Sequence, residues 1–103
     1  MSEGSRAALE ADEIARAAAL LGVMSHPARL QVLHALHIEG PMTAGALQSR
    51  VGLEASALSH QLRVLRDARL VRVVADGRHR IYALDDPHVV RLVDDALAHT
   101  AER

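Results

Sequence analysis

The sequence predicts a mainly α-helical protein with five helices and one small β-hairpin. Apolar residues recur at helical spacing in several segments, which are separated by glycine, proline or capping residues. The dipeptide Asp76-Gly77, which suits a tight β-turn, lies between two stretches with the alternation of β-strands. The 103 residues, half of them apolar, are expected to form a single domain over residues 1–103.

The N-terminal part of the chain supplies the first two helices. Residues 1–8 lack apolar periodicity, and we expect them to be disordered. The alanine-rich run Leu9–Val23 predicts the first helix, which should end at Gly22 or soon after. The second helix is predicted to begin at Pro27, a residue suited to the first helical position, and to stop at Gly40-Pro41.

Polar residues of the second helix allow more than one interpretation. His26 is most simply a cap or turn residue. Arg29 is either an ion-pair partner anchored near the core or a phosphate contact, and the structural role is favoured. His34 and His37 have a spacing that can bind metal but that is usually unremarkable in a helix.

The next two helices are joined by a short turn that contains glycine. Thr43 is suited to cap a third helix that runs through Arg50, and Gly52 is placed to end it in a left-handed turn. The fourth helix is predicted over residues 55–68. This pattern is typical of a helix-turn-helix, whose second helix enters the major groove of DNA.

The fourth helix has two chemically distinct faces. Leu58, Leu62 and Leu65 fall at i, i+4 and i+7 and form an apolar stripe. The opposite side is polar and basic, and it carries Ser56, Ser59, His60, Arg63 and Arg66. One face is therefore expected to pack against the protein while the other contacts an anionic partner.

A hairpin follows directly. Its strands are predicted over residues 71–75 and 79–84, with Asp76-Gly77 as the two-residue turn and Arg78 and Arg80 at or near the tip. A solvated hairpin with ordinary surface arginines is the simpler alternative. Beside a helix-turn-helix, however, the hairpin becomes a wing that contacts phosphate, and the fold class becomes a winged helix-turn-helix.

The last helix is predicted over residues 86–102. Asp86 suits the N-cap and Pro87 the first helical position. Its broad apolar surface, in so small a domain, is a natural dimerisation element together with the alanine-rich first helix. We therefore expect a homodimer that forms through the first and last helices.

Charge is distributed unevenly along the chain. The formal net charge is −1, but residues 60–80 hold six arginines and two aspartates, a local charge of +4. Residues 85–103 hold five acidic residues and two arginines, a local charge of −3. A local basic patch binds phosphate whatever the total charge, and with Tyr82 as the only aromatic residue duplex DNA is favoured over single strands.

A possible metal site lies on the last helix, in Asp86, His88, His99 and Glu102. The two histidines are 11 residues apart, which places them near one face but about 16 Å apart along the axis. Two antiparallel copies would bring the opposite ends together in two sites of two histidines and two carboxylates, a set that suits zinc and can be expanded for nickel or cobalt. The simpler alternative is a cap, two surface histidines and a tail charge.

The composition excludes several other classes. The chain has no cysteine, so disulfides and thiolate metal sites are excluded. It has no run of about 18 apolar residues and no secretion signal at its start, which predicts a cytoplasmic protein without a membrane span. No paired base or nucleophile accompanies the candidate ligands, so an enzyme such as a metal-dependent hydrolase is not expected.

Residues 43–84, with SALSHQLRVLRDARLV followed by the DGRHRIYAL hairpin, resemble the ArsR/SmtB family of bacterial metal-sensing transcriptional regulators. The resemblance extends over nearly the whole chain, from SHPARLQVL onward. It implies a homodimer on an imperfect inverted repeat of double-stranded DNA, with metal binding lowering DNA affinity in most members. Members that bind metal at the last helix carry Asp-x-His-x10-His-x2-(Glu or His), which the four candidate ligands match position for position.

The sequence also departs from the family. The thiolate site on the third helix is absent, which excludes arsenite, lead, cadmium or copper(I) sensing through it. Arg69 stands where glycine commonly closes the recognition helix, so this helix is expected to end differently.

The expected DNA contacts follow from these positions. The residues nearest the base edges are Ser56, Ser59, His60 and Gln61, and Gln61 lies closest to the apolar stripe. Those on phosphates are Arg63, Arg78 and Arg80, joined by Thr43, Gln48 and Arg50. Two alternatives remain, a regulator of the same fold that does not sense metal and, less favoured, a protein-binding adaptor.

Overall fold

The computed structural model describes residues 3–101. Its helices are α1 (Glu3–Met24), α2 (Pro27–Glu39), α3 (Ala44–Val51), α4 (Ala55–Asp67) and α5 (Pro87–Ala101). Its strands are β1 (Met42–Thr43), β2 (Val71–Asp76) and β3 (His79–Leu84). The mainly helical class with a wing is confirmed. None of these helices combines the length and the hydropathy that crossing a membrane requires.

The first helix is longer than the apolar pattern predicts. It begins at Glu3, so residues 3–8 are helical where we expected disorder, and Met1 and Ser2 lie outside the described residues. Alanine has the highest helix propensity, and an acidic residue in the first turn is favourable at the positive end of the helix dipole. The helix also continues past Gly22 to Met24, which is buried.

Capping side chains set the bounds of the next two helices as predicted. His26 Nδ1 accepts a hydrogen bond from the Ala28 amide at 3.2 Å, and α2 ends at Gly40. The Thr43 hydroxyl accepts from the Ala46 amide at 3.1 Å, and Gly52 closes α3 with a left-handed φ of 72°. These contacts satisfy groups that the helix itself leaves without partners.

The core is built around α2. This helix contacts α1, α3, α4, α5 and β3, and four of its residues are at most 3 % exposed: Val32, Leu33, Ala35 and Leu36. The predicted stripe of α4, Leu58, Leu62 and Leu65, is buried in the same cluster. The opposite face of α4 is thereby directed outward.

The wing differs from the prediction in two respects. Asp76 pairs with His79 as the last rung of the hairpin, so the two-residue turn is Gly77-Arg78 and not Asp76-Gly77. Glycine at the first central position supplies the positive φ of 61° that such a turn needs. In addition β1 pairs with β3, with Thr43 opposite Ile81, which gives a three-stranded sheet in the order β1-β3-β2.

The end of α4 is also a correction. We expected Arg69 to change how the helix ends, but Arg69 takes the left-handed conformation itself, with φ 60°. Its amide donates to the Arg66 carbonyl and the Leu70 amide donates to the Leu65 carbonyl, both at 2.9 Å. This is the hydrogen-bond pattern of a Schellman ending, which usually has glycine at this position.

Candidate nucleic-acid interface and metal ligands

The outer face of α4 carries four of the predicted DNA contacts, and all four are exposed: Ser56, Ser59, His60 and Arg63. They are held outward because the leucine stripe on the other side is fixed in the core. Glu54, at the N-cap, makes no side-chain hydrogen bond to the first turn. The Glu54 side chain therefore leaves the amides of that turn free of a side-chain cap, and a helix N-terminus of this kind suits an anionic acceptor.

Gln61 lies on the flank of α4 that faces α2. Its side-chain oxygen accepts a hydrogen bond from Arg29 Nε at 2.9 Å, and Arg29 Nη1 donates to the Val23 carbonyl at 3.0 Å. Arg29 therefore has a structural role, as we favoured, but the expected ion pair is wrong, because both partners are neutral groups. A base contact by Gln61 remains a prediction, and the structure gives its amide oxygen another partner.

The wing and the start of α3 enclose a shallow groove of about 430 Å³. Arg78, His79 and Arg80 line one side, all exposed, and Thr43 and Gly45 line the other. The structure thus brings together the predicted phosphate contacts of the wing with the N-terminus of a helix, both favourable surroundings for an anion.

The two remaining candidates of α3 lie in different surroundings. Gln48 is half-buried and lines a depression of about 120 Å³ together with Ser59, so it lies beside the outer face of α4. Arg50 is exposed, and its Nε lies 3.4 Å from Glu39 Oε1. An ion pair at this distance on the surface is weak, so Arg50 can exchange Glu39 for a phosphate at little cost.

At the start of α5, Asp86 and His88 already interact. Asp86 Oδ1 accepts hydrogen bonds from the His88 amide and from His88 Nδ1, both at 2.8 Å. The predicted cap is confirmed. These two hydrogen bonds lower the pKa of Asp86 below its ordinary value, and the one from the His88 backbone amide has the larger effect. The His88 side chain is 83 % exposed, and with Nδ1 turned to Asp86 its Nε2 is the nitrogen left for a metal.

The other two candidate ligands lie at the opposite end of α5. His99 is exposed in the last turn, whereas Glu102 lies outside the described residues. Within residues 3–101, no group of three or more histidine or acidic side chains is placed to hold a metal ion. That one copy alone cannot bring the four ligands together stays a prediction from their spacing along the helix. The donor types, imidazole nitrogen and carboxylate oxygen, fit a divalent transition metal.

The two histidines of α2 lie in different surroundings. His37 Nε2 lies 2.7 Å from Asp94 Oδ2 on α5, and both side chains are half-buried. His34 Nδ1 is buried without a hydrogen-bond partner. The contact between His37 and Asp94 was missed in the sequence, because nothing in the local pattern of either helix shows which residues of α2 and α5 face each other.

Helices α1 and α5 expose large apolar side chains. On α1 these are Leu9, Ile14 and Leu21, with Ile14 68 % exposed, and on α5 they are Leu92 and Leu97. Leu21, Leu92 and Ala96 also line an apolar groove of about 300 Å³ between the two helices. An apolar surface of this kind, in a small protein, is typical of an interface.

Comparison with known proteins identifies the family. A helix-turn-helix domain model matches residues 24–74. NmtR of Mycobacterium tuberculosis, a helix-turn-helix transcriptional regulator, is 40 % identical over 94 residues, which cover 91 % of this chain and 78 % of NmtR. The transcriptional repressor SmtB homologue of Synechocystis sp. is 33 % identical over 91 residues, 88 % of this chain and 68 % of that protein.

Solved structures agree with these sequence matches. The solution structure of apo-NmtR has a TM-score of 0.77 at 39 % identity and covers 90 % of this chain and 77 % of that one. The crystal structure of AntR, an antimony-specific transcriptional repressor, has a TM-score of 0.78 at 33 % identity and covers 91 % and 82 %. This chain is therefore a DNA-binding transcriptional regulator and not an enzyme, and it belongs to the ArsR/SmtB family of winged helix-turn-helix proteins.

Proposed function

We propose that this chain is a homodimeric regulator whose affinity for double-stranded operator DNA changes when a divalent transition metal binds between the C-terminal helices of two copies. The observation that carries the proposal is the arrangement of α5. Exposed donors lie at both of its ends, Asp86 and His88 at one and His99 at the other, with the exposed apolar residues Leu92 and Leu97 along the helix between them.

The apolar surface supports the dimer. The exposed leucines and Ile14 of α1 and α5 form the kind of patch that a small protein covers with a second copy. If the two α5 helices cross antiparallel about a two-fold axis, the start of one meets the end of the other. The same symmetry places two recognition helices for an inverted-repeat operator.

The metal ligands would then come from both copies. Asp86 and His88 of one copy and His99 and Glu102 of the other supply two nitrogens and two carboxylate groups, which makes zinc the first choice and nickel and cobalt the alternatives. The related AntR, which is named for its specificity for antimony, supports the idea that proteins of this fold respond to inorganic ions.

The DNA contacts would divide by chemistry. Exposed residues on the outer face of α4 would lie nearest the bases: Ser56, Ser59 and His60. Arg63, the wing arginines Arg78 and Arg80, and Thr43, Gln48 and Arg50 of the α3 region would lie on phosphates. Gln61 would contribute through its hydrogen bond with Arg29, which positions the flank of the recognition helix.

Regulation would work by a shift of population. With donors from both copies bound to one ion, the two α5 helices are held in one relative orientation. That orientation changes DNA affinity only to the extent that the ion binds the two states of the dimer differently. Couplings of about 1 to 3 kcal/mol are ordinary for such linked sites.

The test is fluorescence anisotropy of the full chain on DNA from upstream of its own gene, with a chelator and then with zinc, nickel and cobalt in turn. We expect one metal to change the dissociation constant by about tenfold or more, which corresponds to about 1.4 kcal/mol. Tight binding that is indifferent to all three metals would favour a regulator of the same fold that does not sense metal. Loss of all DNA affinity even at low salt would favour a protein-binding adaptor.

A matched pair of variants locates the metal ligands. His99→Ala is expected to abolish the metal response while leaving DNA binding without metal unchanged, because His99 lies on α5 and outside the DNA-facing elements. Arg91→Ala, an exposed substitution on the same helix, serves as the control and should respond as the unaltered protein does. A normal response of His99→Ala would place the site elsewhere.

A further inference from the structure

We infer that α2 transmits a change in the orientation of α5 to α4, the helix expected to enter the major groove. His37 and Asp94, which join α2 to α5, are positioning residues at the start of this link. The inference rests on the proposed function, since it concerns how α5 regulates DNA binding. The observation behind it is a series of side-chain contacts that join α5 to α2 and α2 to α4.

The side-chain contact through which α5 would act on α2 is the one between His37 and Asp94. His37 Nε2 lies 2.7 Å from Asp94 Oδ2, a short distance for a hydrogen bond that a carboxylate accepts. The two side chains are 32 % and 44 % exposed, so solvent competes for the contact less than at a fully exposed position. A rotation of α5 about its axis would strain or break this contact unless α2 followed.

Helix α2 lies between the contact at His37 and the contact at Arg29, and the core holds it in place. Four residues of α2 are fixed in the core: Val32, Leu33, Ala35 and Leu36. Close-packed interiors pass on a displacement instead of absorbing it. His37 follows Arg29 by eight residues, or about 12 Å along the helix axis. A shift at the C-terminal end of α2 therefore reaches its first turn.

The side-chain contact through which α2 would act on α4 is the one between Arg29 and Gln61. Arg29 Nε donates to the Gln61 side chain at 2.9 Å, and its Nη1 donates to the Val23 carbonyl of α1 at 3.0 Å. Gln61 directly follows His60, which is exposed on the outer face of α4. Arg29 thus joins the end of α1, the start of α2 and the middle of the recognition helix at one guanidinium group.

The first arm of the test measures the metal response of Asp94→Ala in the full-length dimer. We expect zinc affinity, measured by competition with a coloured chelator, and DNA affinity without metal to stay close to those of the unaltered protein. The ratio of DNA dissociation constants with and without zinc should shrink roughly fivefold or more. Asp95→Ala, which removes the same charge at an exposed neighbouring position, should keep the full ratio.

A conservative variant separates positioning from a general effect on the fold. His37→Gln retains an N–H donor for Asp94 and should keep most of the metal response, whereas His37→Ala should lose it. If Asp94→Ala does not fold, Asp94→Leu takes its place, because it removes both acceptor oxygens while keeping a side chain of similar size. A full metal response in both His37→Ala and Asp94→Ala would overturn the inference and favour a route through β3, which also packs on α5.

The second arm needs no metal. In NMR spectra of the metal-free protein, Asp94→Ala should shift the Arg29 Nε–H and Gln61 side-chain amide resonances, and Asp95→Ala should leave them in place. Unchanged resonances in Asp94→Ala would overturn the inference, whatever the metal does. If the unaltered protein ignores zinc, nickel and cobalt, the proposed metal response fails, and these resonances alone decide whether α2 links α5 to α4.

Discussion

Arg69 holds a left-handed backbone conformation that residues other than glycine adopt only at a cost in free energy. Its φ of 60° closes α4, and the amides of Arg69 and Leu70 complete the ending by donating to carbonyls in the last turn. Leu65 and Leu70 are both buried in the core, which supplies the apolar contact that accompanies this type of ending. Core packing and these two hydrogen bonds therefore hold residue 69 in the left-handed conformation, although it is an arginine.

Arg69→Gly is accordingly expected to stabilise the protein. The left-handed conformation costs a non-glycine residue about 1 kcal/mol, so the free energy of unfolding should rise by about that amount. Urea denaturation at one fixed protomer concentration measures it, because the stability of the proposed dimer would depend on concentration. Arg66→Gly, inside the last turn of α4, is the control and should lower stability by about 1 kcal/mol. An equal loss in both variants would contradict the argument.

Among the elements, those with a capping residue and an apolar periodicity of their own could be predicted from the sequence. Helix ends are marked by the local chemistry of Thr43, Gly52 and Asp86, and each of these residues caps the helix as expected. Strand β1 has two residues, too few for any periodicity, and it exists only because β3 lies beside it. The turn of the wing was misplaced by one residue because strand pairing, and not the dipeptide, sets the register.

The candidate site divides in the same way. The outward face of α4 and the ends of α5 follow from helical spacing alone. Contacts between helices, such as Arg29 with Gln61 and His37 with Asp94, depend on how the helices cross, which no local pattern encodes. Gln61 shows the consequence, since the amide oxygen of this predicted base contact accepts a hydrogen bond from Arg29 of α2.

The cap of α3 gives a prediction at this scale. Thr43→Ala removes the acceptor of the Ala46 amide and should lower the free energy of unfolding by about 1 kcal/mol. Ser49→Ala, on the exposed side of the same helix, should change it by less than about 0.5 kcal/mol. Thermal or urea unfolding of the two variants makes the comparison, and equal effects would show that the cap adds no stability.

At the scale of the whole molecule, the exposed apolar residues of α1 and α5 are the proposed dimer interface. Leu92 is 43 % exposed and lines the apolar groove between the two helices, so a charge there would be buried on dimerisation. Leu92→Asp should therefore shift the protein to monomers in sedimentation velocity and weaken operator binding with it. Val74→Asp, 52 % exposed on the wing, is the control and should leave the dimer intact. A dimer that persists in Leu92→Asp would place the interface on another surface.

The small strand β1 has a consequence for protein engineering. Thr43 pairs with Ile81 of β3 and also caps α3, so one residue belongs to the wing and to the helix-turn-helix at once. A wing exchanged between relatives as a hairpin of residues 71–84 alone would meet Met42 and Thr43 of the recipient with unmatched side chains. Chimeras that carry residues 42 and 43 along with the hairpin should keep the orientation of α3, whereas hairpin-only grafts should disturb it.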